Sequence, residues 1–276
     1  LVVLILYMSV MLLAANGFLS FLHRLEGNLS GLLGIPESNT PGSMMDSLWK
    51  SDTFRDMVRE LVKDNEAARE LFGIHPFALV FGWLSFVFTP LLVLLTATAR
   101  IAEEVASGSV RYVAVRVPRL AWGLGKYLGQ VALVLLSLGL ATCAAWVLAR
   151  FRMPGTDGWL MAHGMFLMLV RAWVYGVAFV GVALGVSQWT RVPNLASGLG
   201  FLLWVAFAIL GAVAANVSGE GWTRIWPAIA MVIPNGYLSD LWRFDVRHVV
   251  TGVVFLLTLG MGYFLLGYAR FARRSL

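Results

Sequence analysis

Six separate runs of apolar residues constrain this chain more than any other feature. Each is about 20 residues long, the length an α-helix needs to cross a hydrocarbon core. They fall at about 1–22, 77–99, 127–148, 160–186, 195–215 and 249–268. In water such runs would leave a large apolar surface uncovered. In a bilayer a helix satisfies its backbone N–H and C=O groups internally and turns its side chains to lipid. The composition agrees: of 276 residues, 59% are hydrophobic and 13% charged, and the mean hydropathy is +0.78. That is about half the roughly 25% charge of a soluble domain. The expected fold is an all-α membrane protein, one domain over residues 1–276 with six transmembrane helices. No basic segment precedes the first run, which is therefore read as a span and not a signal peptide. The chain starts inside that run without Met, so a further N-terminal piece, basic and on the inner surface, is expected.

The basic balance (net charge +6, pI about 9.8) fits a membrane better than a nucleic acid. Lys and Arg gather in the cytoplasmic loops of membrane proteins, and no basic helix interleaved with stacking aromatics occurs. Segment 100–126 carries Arg100, Arg111, Arg116, Arg119 and Lys126 against Glu103 and Glu104, and the tail has Arg270, Arg273 and Arg274. Segment 23–75 instead has nine acids and six Lys or Arg. Both termini are therefore expected in the cytoplasm. Arg150 and Arg152 run against this, since they fall in a short loop assigned to the outside. The 11 Trp and 7 Tyr lie mostly near span ends, as interface anchors do.

The first outer loop, 23–75, is expected to hold one or two amphipathic helices. Ser43-x-x-Asp46 and Thr53-x-x-Asp56 are loose capping boxes. Phe54, Met57, Val58, Leu61 and Val62 repeat at helical spacing, and Asp52–Arg55, Asp56–Arg59 and Glu60–Lys63 can pair on the other face. Gly73 and Pro76 end the element. This loop is either a solvated cap packed on the spans or a contact for a substrate or an extracytoplasmic partner. The last outer loop, 216–248, is apolar in its middle but broken by Pro227 and Pro234, so a re-entrant or interfacial hairpin is expected there.

Enzyme chemistry finds little to build on. HExxH, GxSxG and the GxxxxGK[ST] phosphate loop are all absent from the sequence. Glu103-Glu104 would open an EExxxR intramembrane-protease motif, but Gly108 stands where its Arg should be. Four scattered His and the single Cys143 give no metal-ligand cluster and allow no intrachain disulfide. The informative stretch is the inner loop. It reads as a helix leaving the membrane, turning at Ser107-Gly108-Ser109, running along the surface and breaking at Pro118. Such a surface helix, bearing acids and arginines, suits either a cytoplasmic partner or anionic lipid headgroups.

That loop resembles the first cytoplasmic loop of ABC-2 type transporter permeases, whose pattern is E-x-x-x-G-[ST]-x-[ED]-x-[LV]-x-x-x-P-x-[RS] followed by G-K. Glu104, Gly108, Ser109, Val113, Pro118, Arg119, Gly125 and Lys126 fall near those places. Ser109 stands for the commoner Thr and Arg111 where an acid is frequent. Six spans and a hairpin before the last extend the resemblance over nearly the whole chain. The long first outer loop is similar to that of the permease subgroup that includes the copper-site maturation transporter of nitrous oxide reductase.

The resemblance implies a permease subunit that holds no cofactor itself and dimerises, as a homodimer, over two ABC ATP-binding subunits that bind ATP and Mg. It also implies a bacterial inner (plasma) membrane. Glu103, Glu104, Gly108, Arg111, Arg116, Pro118 and Arg119 then form the loop coupled to the ATPase, with Arg191 in the shorter loop 188–194 as a second contact. The family's work would be export by alternating access. A membrane scaffold or assembly factor with the same body, moving no solute, is the alternative. Within the spans, Arg171 carries the one formal charge, about 16 Å into the fourth run at 1.5 Å per residue. It either caps backbone carbonyls or a Thr hydroxyl between helices, or lines the pathway and meets an anionic substrate. Gly125-x-x-x-Gly129 and Gly181-x-x-x-Gly185 would permit close helix packing.

Overall fold

A computed structural model describes residues 2–33, 52, 56, 72–153, 156–216, 225–243 and 245–273. Among these, all regular structure is helical: α1 (Val2–Leu33), α2 (Pro76–Ala97), α3 (Arg100–Ala106), α4 (Ser109–Ala114), α5 (Arg119–Arg152), α6 (Gly158–Ser187), α7 (Pro193–Asn216), α8 (Ile225–Val232), a 3₁₀ turn (Pro234–Tyr237), α9 (Leu238–Trp242) and α10 (Val246–Ala272). Among the described residues, five helical stretches are long and apolar enough to cross a membrane: Pro76–Ala106, Arg119–Arg152, Gly158–Ser187, Pro193–Ala214 and Val246–Ala272. Ile5–Phe21 in α1 is a shorter apolar helix. The chain is thus an all-α membrane protein of about six spans. Of the amphipathic helix expected around 43–63, Asp52 and Asp56 are described, both as helical, and the rest lies outside the described residues.

Local chemistry starts these helices. Pro76 opens α2, where its missing N–H costs nothing, and the His75 carbonyl accepts from Ala78 (2.9 Å) and Leu79 (3.3 Å). Asp157 caps α6, its Oδ1 accepting from the amides of Trp159 (2.9 Å) and Leu160 (3.3 Å). Asp245 caps α10 by accepting from the Arg247 amide at 3.3 Å. The His248 ring at 2.6 Å, with that amide, holds its carboxyl below the usual range.

The chain forms two compact units, Leu1–Ser85 with Leu136–Val170 and Phe86–Leu135 with Arg171–Leu276. In the first, Met161, Met165 and Met168 are fully buried. A Cβ on Gly82 would come within 2.8 Å of Met168 and one on Gly164 within 2.9 Å of Ala78, so small residues let α6 lie close on α2. This unit also accounts for the two awkward arginines. Arg150 Nη1 donates to the Thr156 carbonyl (3.2 Å) and Arg152 Nη2 to Asn16 Oδ1 (3.3 Å). Both are therefore engaged by neighbouring polar groups at the end of α5.

In the second unit α6 and α10 cross almost in backbone contact. A Cβ on Gly181 would lie 1.9 Å from the Gly260 carbonyl oxygen, and one on Gly185 2.5 Å from that of Tyr263. Aromatic contacts extend the crossing: Phe179–Phe207 (centroids 6.3 Å), Phe207–Tyr263 (6.1 Å), Tyr127–Phe264 (5.3 Å) and Trp122–Phe271 (5.9 Å). The apolar segment before the last span is α8, the 3₁₀ turn and α9. Tyr263 Oη donates to the Val232 carbonyl (2.7 Å), Tyr175 Oη to Asn235 Oδ1 (3.0 Å) and Tyr237 Oη to the Met231 carbonyl (3.0 Å). Burial, with the Asp240 carboxylate, raises the Tyr237 phenol above its ordinary value.

Two helices run past the expected limits. α5 begins at Arg119 and not 127, and α1 continues to Leu33 and not 22. Hydropathy marks where a chain leaves hydrocarbon, whereas a helix stops only where its backbone ladder is broken. Pro118 is such a break, and nothing between it and Tyr127 interrupts the ladder again.

Candidate functional site

The inner loop is built as a two-helix step. After a two-residue break at Thr98-Ala99, α3 carries the chain to Ser107 and Gly108. Gly108 has φ +73°, the left-handed conformation that ends many helices and suits glycine. A Cβ there would meet nothing within 4 Å, so glycine is required by backbone conformation and not by space. Ser107 Oγ and Ser109 Oγ both donate to the Glu104 carbonyl (3.2 and 3.1 Å), satisfying an acceptor that the end of α3 leaves open. α4 follows, seated by Val110, which is 3% exposed. Pro118 then precedes α5.

The residues singled out from sequence fall into two groups. Glu104 and Arg119 are half-buried and bonded to neighbouring helices. Glu104 Oε1 pairs with Lys126 Nζ on α5, and Lys126 also lies 5.9 Å over the Trp122 ring. Arg119 Nη1 donates to the Ala272 carbonyl at the end of α10 (3.2 Å), where a cation also meets the negative end of the helix. Gly108 and Pro118 shape the turns. By contrast Glu103, Arg111 and Arg116 are exposed. Beside them Tyr112 is 81% and Val115 86% exposed, two apolar side chains with no local packing role. Exposed aromatic and arginine side chains are residue types that protein interfaces favour. Sequence reading passed over Tyr112 and Val115; their signal was apolar residues inside a segment otherwise expected to be polar. Arg191, in the 188–194 loop, is exposed. Its neighbour Trp189 carries Arg270 of α10 at 5.8 Å over its ring.

Sequence reading also missed Ser187, the last residue of α6. Its Oγ accepts from the amides of both Ile101 (2.9 Å) and Ala102 (3.0 Å) in the first turn of α3. All three residues are fully buried. Ala99, at the N-cap position of α3, makes no side-chain bond. The cap is therefore supplied from 86 residues away, a distance no local motif can signal.

Arg171 lies apart from the loop. It is 5% exposed, and its Nη1 donates to the Leu241 carbonyl of α9 at 2.9 Å. This is the carbonyl-capping geometry, made to the hairpin. Among the described residues no group of three or more His, Cys, Asp or Glu is placed to hold a metal ion.

Long apolar helices, with a short charged step between the second and third of them, define a multi-pass membrane protein. The chain matches the family described as ABC-2 family transporter protein over residues 1–224, and it belongs to that family. It is a transmembrane subunit of an ABC transporter, a class of component that is not itself the ATPase and generally works with an ABC ATP-binding subunit. No curated protein matches the chain in sequence.

Proposed function

We propose that this chain is the permease of an ATP-driven exporter, working in a bacterial inner membrane as a dimer over two ATP-binding subunits. ATP closes the ATPase pair, the step between α2 and α5 is displaced, and the helix bundle passes between inward- and outward-open states. ATP drives such a cycle only if it is bound more tightly in one state than in the other. In this reading Glu103, Arg111 and Arg116, with Tyr112 between them, meet the ATPase. Glu104, Gly108, Pro118 and Arg119 hold the step in shape, and Arg191 adds a second contact.

One observation supports this reading above the rest: the loop is stiffened from within and left charged and apolar on its free side. The Glu104–Lys126 pair fastens α3 to α5, and the Arg119–Ala272 bond fastens the start of α5, where the loop ends, to α10. A loop serving only as a connection has no use for both. Affinity purification from native cells tests the proposal. An ATPase should co-purify in equal amount with the wild-type chain. The double variant Glu103→Arg, Arg111→Glu should lose most of it, since like charges opposed across an interface cost several kcal/mol, while remaining folded in detergent. Co-purification unchanged by the charge reversal would overturn the assignment of the surface. Absence of any ATPase would bring the scaffold reading forward.

A further inference from the structure

The membrane helix α2 and the loop helix α3 are nearly one helix, since Pro76–Ala106 is a single helical stretch interrupted only at Thr98-Ala99. In an unbroken helix the Ile101 and Ala102 amides would donate four residues back, to the carbonyls of Ala97 and Thr98. Here both turn instead to one hydroxyl, Ser187 Oγ. A side chain entering the hydrogen-bond ladder is a recognised cause of a helix break, and this one comes from another helix. On the other side of the break the chain is closely packed: a Cβ on Gly200 of α7 would lie 2.4 Å from Thr98 Cγ2. Ser187 is also the residue from which the 188–194 loop departs. The hydroxyl thus joins the start of the first loop to the start of the second.

We infer that Ser187 is a positioning residue for energy coupling: its hydroxyl holds the α2–α3 hinge and ties the two ATPase-facing loops into one moving part. The inference rests on the permease reading. Motion imposed on α3 by the ATPase reaches α6 through two hydrogen bonds to one oxygen atom, with no covalent connection nearer than 85 residues along the chain. Removing the oxygen leaves α3 attached through α2 and through the Glu104–Lys126 pair but breaks both bonds to α6, and the two amides revert to the backbone ladder or go unpaired.

Two measurements on the full chain with its co-purified ATPase, in lipid nanodiscs, test this. Amide hydrogen exchange reads the hinge directly. Ser187→Ala should raise exchange at Ile101 and Ala102 by about fivefold, the local opening expected for loss of an N-cap, while α5 and α10 are unchanged. Permease-dependent stimulation of ATP hydrolysis reads coupling. Ser187→Ala should lose most of it with the ATPase still bound in equal amount, and Ser187→Thr, which keeps the hydroxyl, should restore it. Unaltered exchange at 101–102 would overturn the hinge bond. Faster exchange with undiminished stimulation, or failure of Ser187→Thr to restore stimulation, would overturn the coupling role. A wild-type chain that binds no ATPase would instead overturn the permease reading, and the exchange data would still decide whether Ser187 holds the hinge.

Discussion

Arg171 shows how one residue can be unfavourable at one stage of a membrane protein's life and useful at another. A charge at the centre of a span raises the free energy of insertion by roughly 2.5–3.5 kcal/mol, a term that applies before the helices have packed. Once packed, its Nη1 bonds the Leu241 carbonyl. A hydrogen bond from a charged donor contributes about 1.5–3 kcal/mol, and leaving the acceptor buried and unmet costs about 1–3 kcal/mol. The two effects separate in Arg171→Met. Insertion should be no worse than in the wild type, while the attachment of α9 weakens by about 1–3 kcal/mol. Hydrogen exchange over residues 238–242 checks this: those amides should exchange about tenfold faster, with α6 itself unaffected. Exchange at the wild-type rate would mean that the hairpin is held by Tyr175, Tyr237 and Tyr263 without help from the arginine.

Among the helices, two glycine pairs looked alike in sequence and differ in structure. On α6, a Cβ at Gly181 or Gly185 would meet the backbone of α10 at 1.9 or 2.5 Å, and backbone cannot rotate away. On α5, a Cβ at Gly125 or Gly129 would meet nothing within 4 Å among the described residues. Alanine favours a helix over glycine by about 0.5–1 kcal/mol. Gly125→Ala should therefore be neutral or raise the thermal midpoint slightly, whereas Gly181→Ala should force α6 and α10 apart and lower it sharply. Thermal unfolding in detergent of the two variants side by side decides it; equal midpoints would mean that the crossing relaxes more freely than its geometry implies. Spacing alone could not have separated the pairs, because the partner helix lies some 80 residues further along the chain. The same reasoning explains what else was legible. Six apolar runs, the turn at Ser107-Gly108 and the break at Pro118 each have local causes: a run of apolar side chains, a positive φ and a missing N–H. The Ser187 cap, the Arg171–Leu241 bond and the Glu104–Lys126 pair join residues 22 to 86 apart. Such partners become visible only when the helices are placed. Which arginines would face outward was beyond sequence for the same reason.

For the molecule as a whole, everything proposed about coupling depends on which way the bundle lies in the membrane. Arg100, Arg111, Arg116, Arg119 and Lys126 gather in the step before α5, and Arg270 and Arg273 at the end of α10. Arg150 and Arg152 belong to the opposite end of α5. Lys and Arg in short loops bias orientation toward the cytoplasm, so the larger cluster should prevail and the α3–α4 step should face inward. Arg150 and Arg152 oppose that bias by only two charges, and the Thr156 carbonyl and the Asn16 side chain receive them. Single cysteines in a Cys143→Ala background make the orientation measurable. Trp159 is 81% exposed at the start of α6, and Ala272 is exposed at the end of α10. A membrane-impermeant maleimide applied to intact spheroplasts should label Trp159→Cys at once and Ala272→Cys only after the membrane is opened. The reverse pattern would place Glu103, Arg111 and Tyr112 on the face away from ATP, where no ATPase could reach them, and the coupling role assigned to that surface would fall with it.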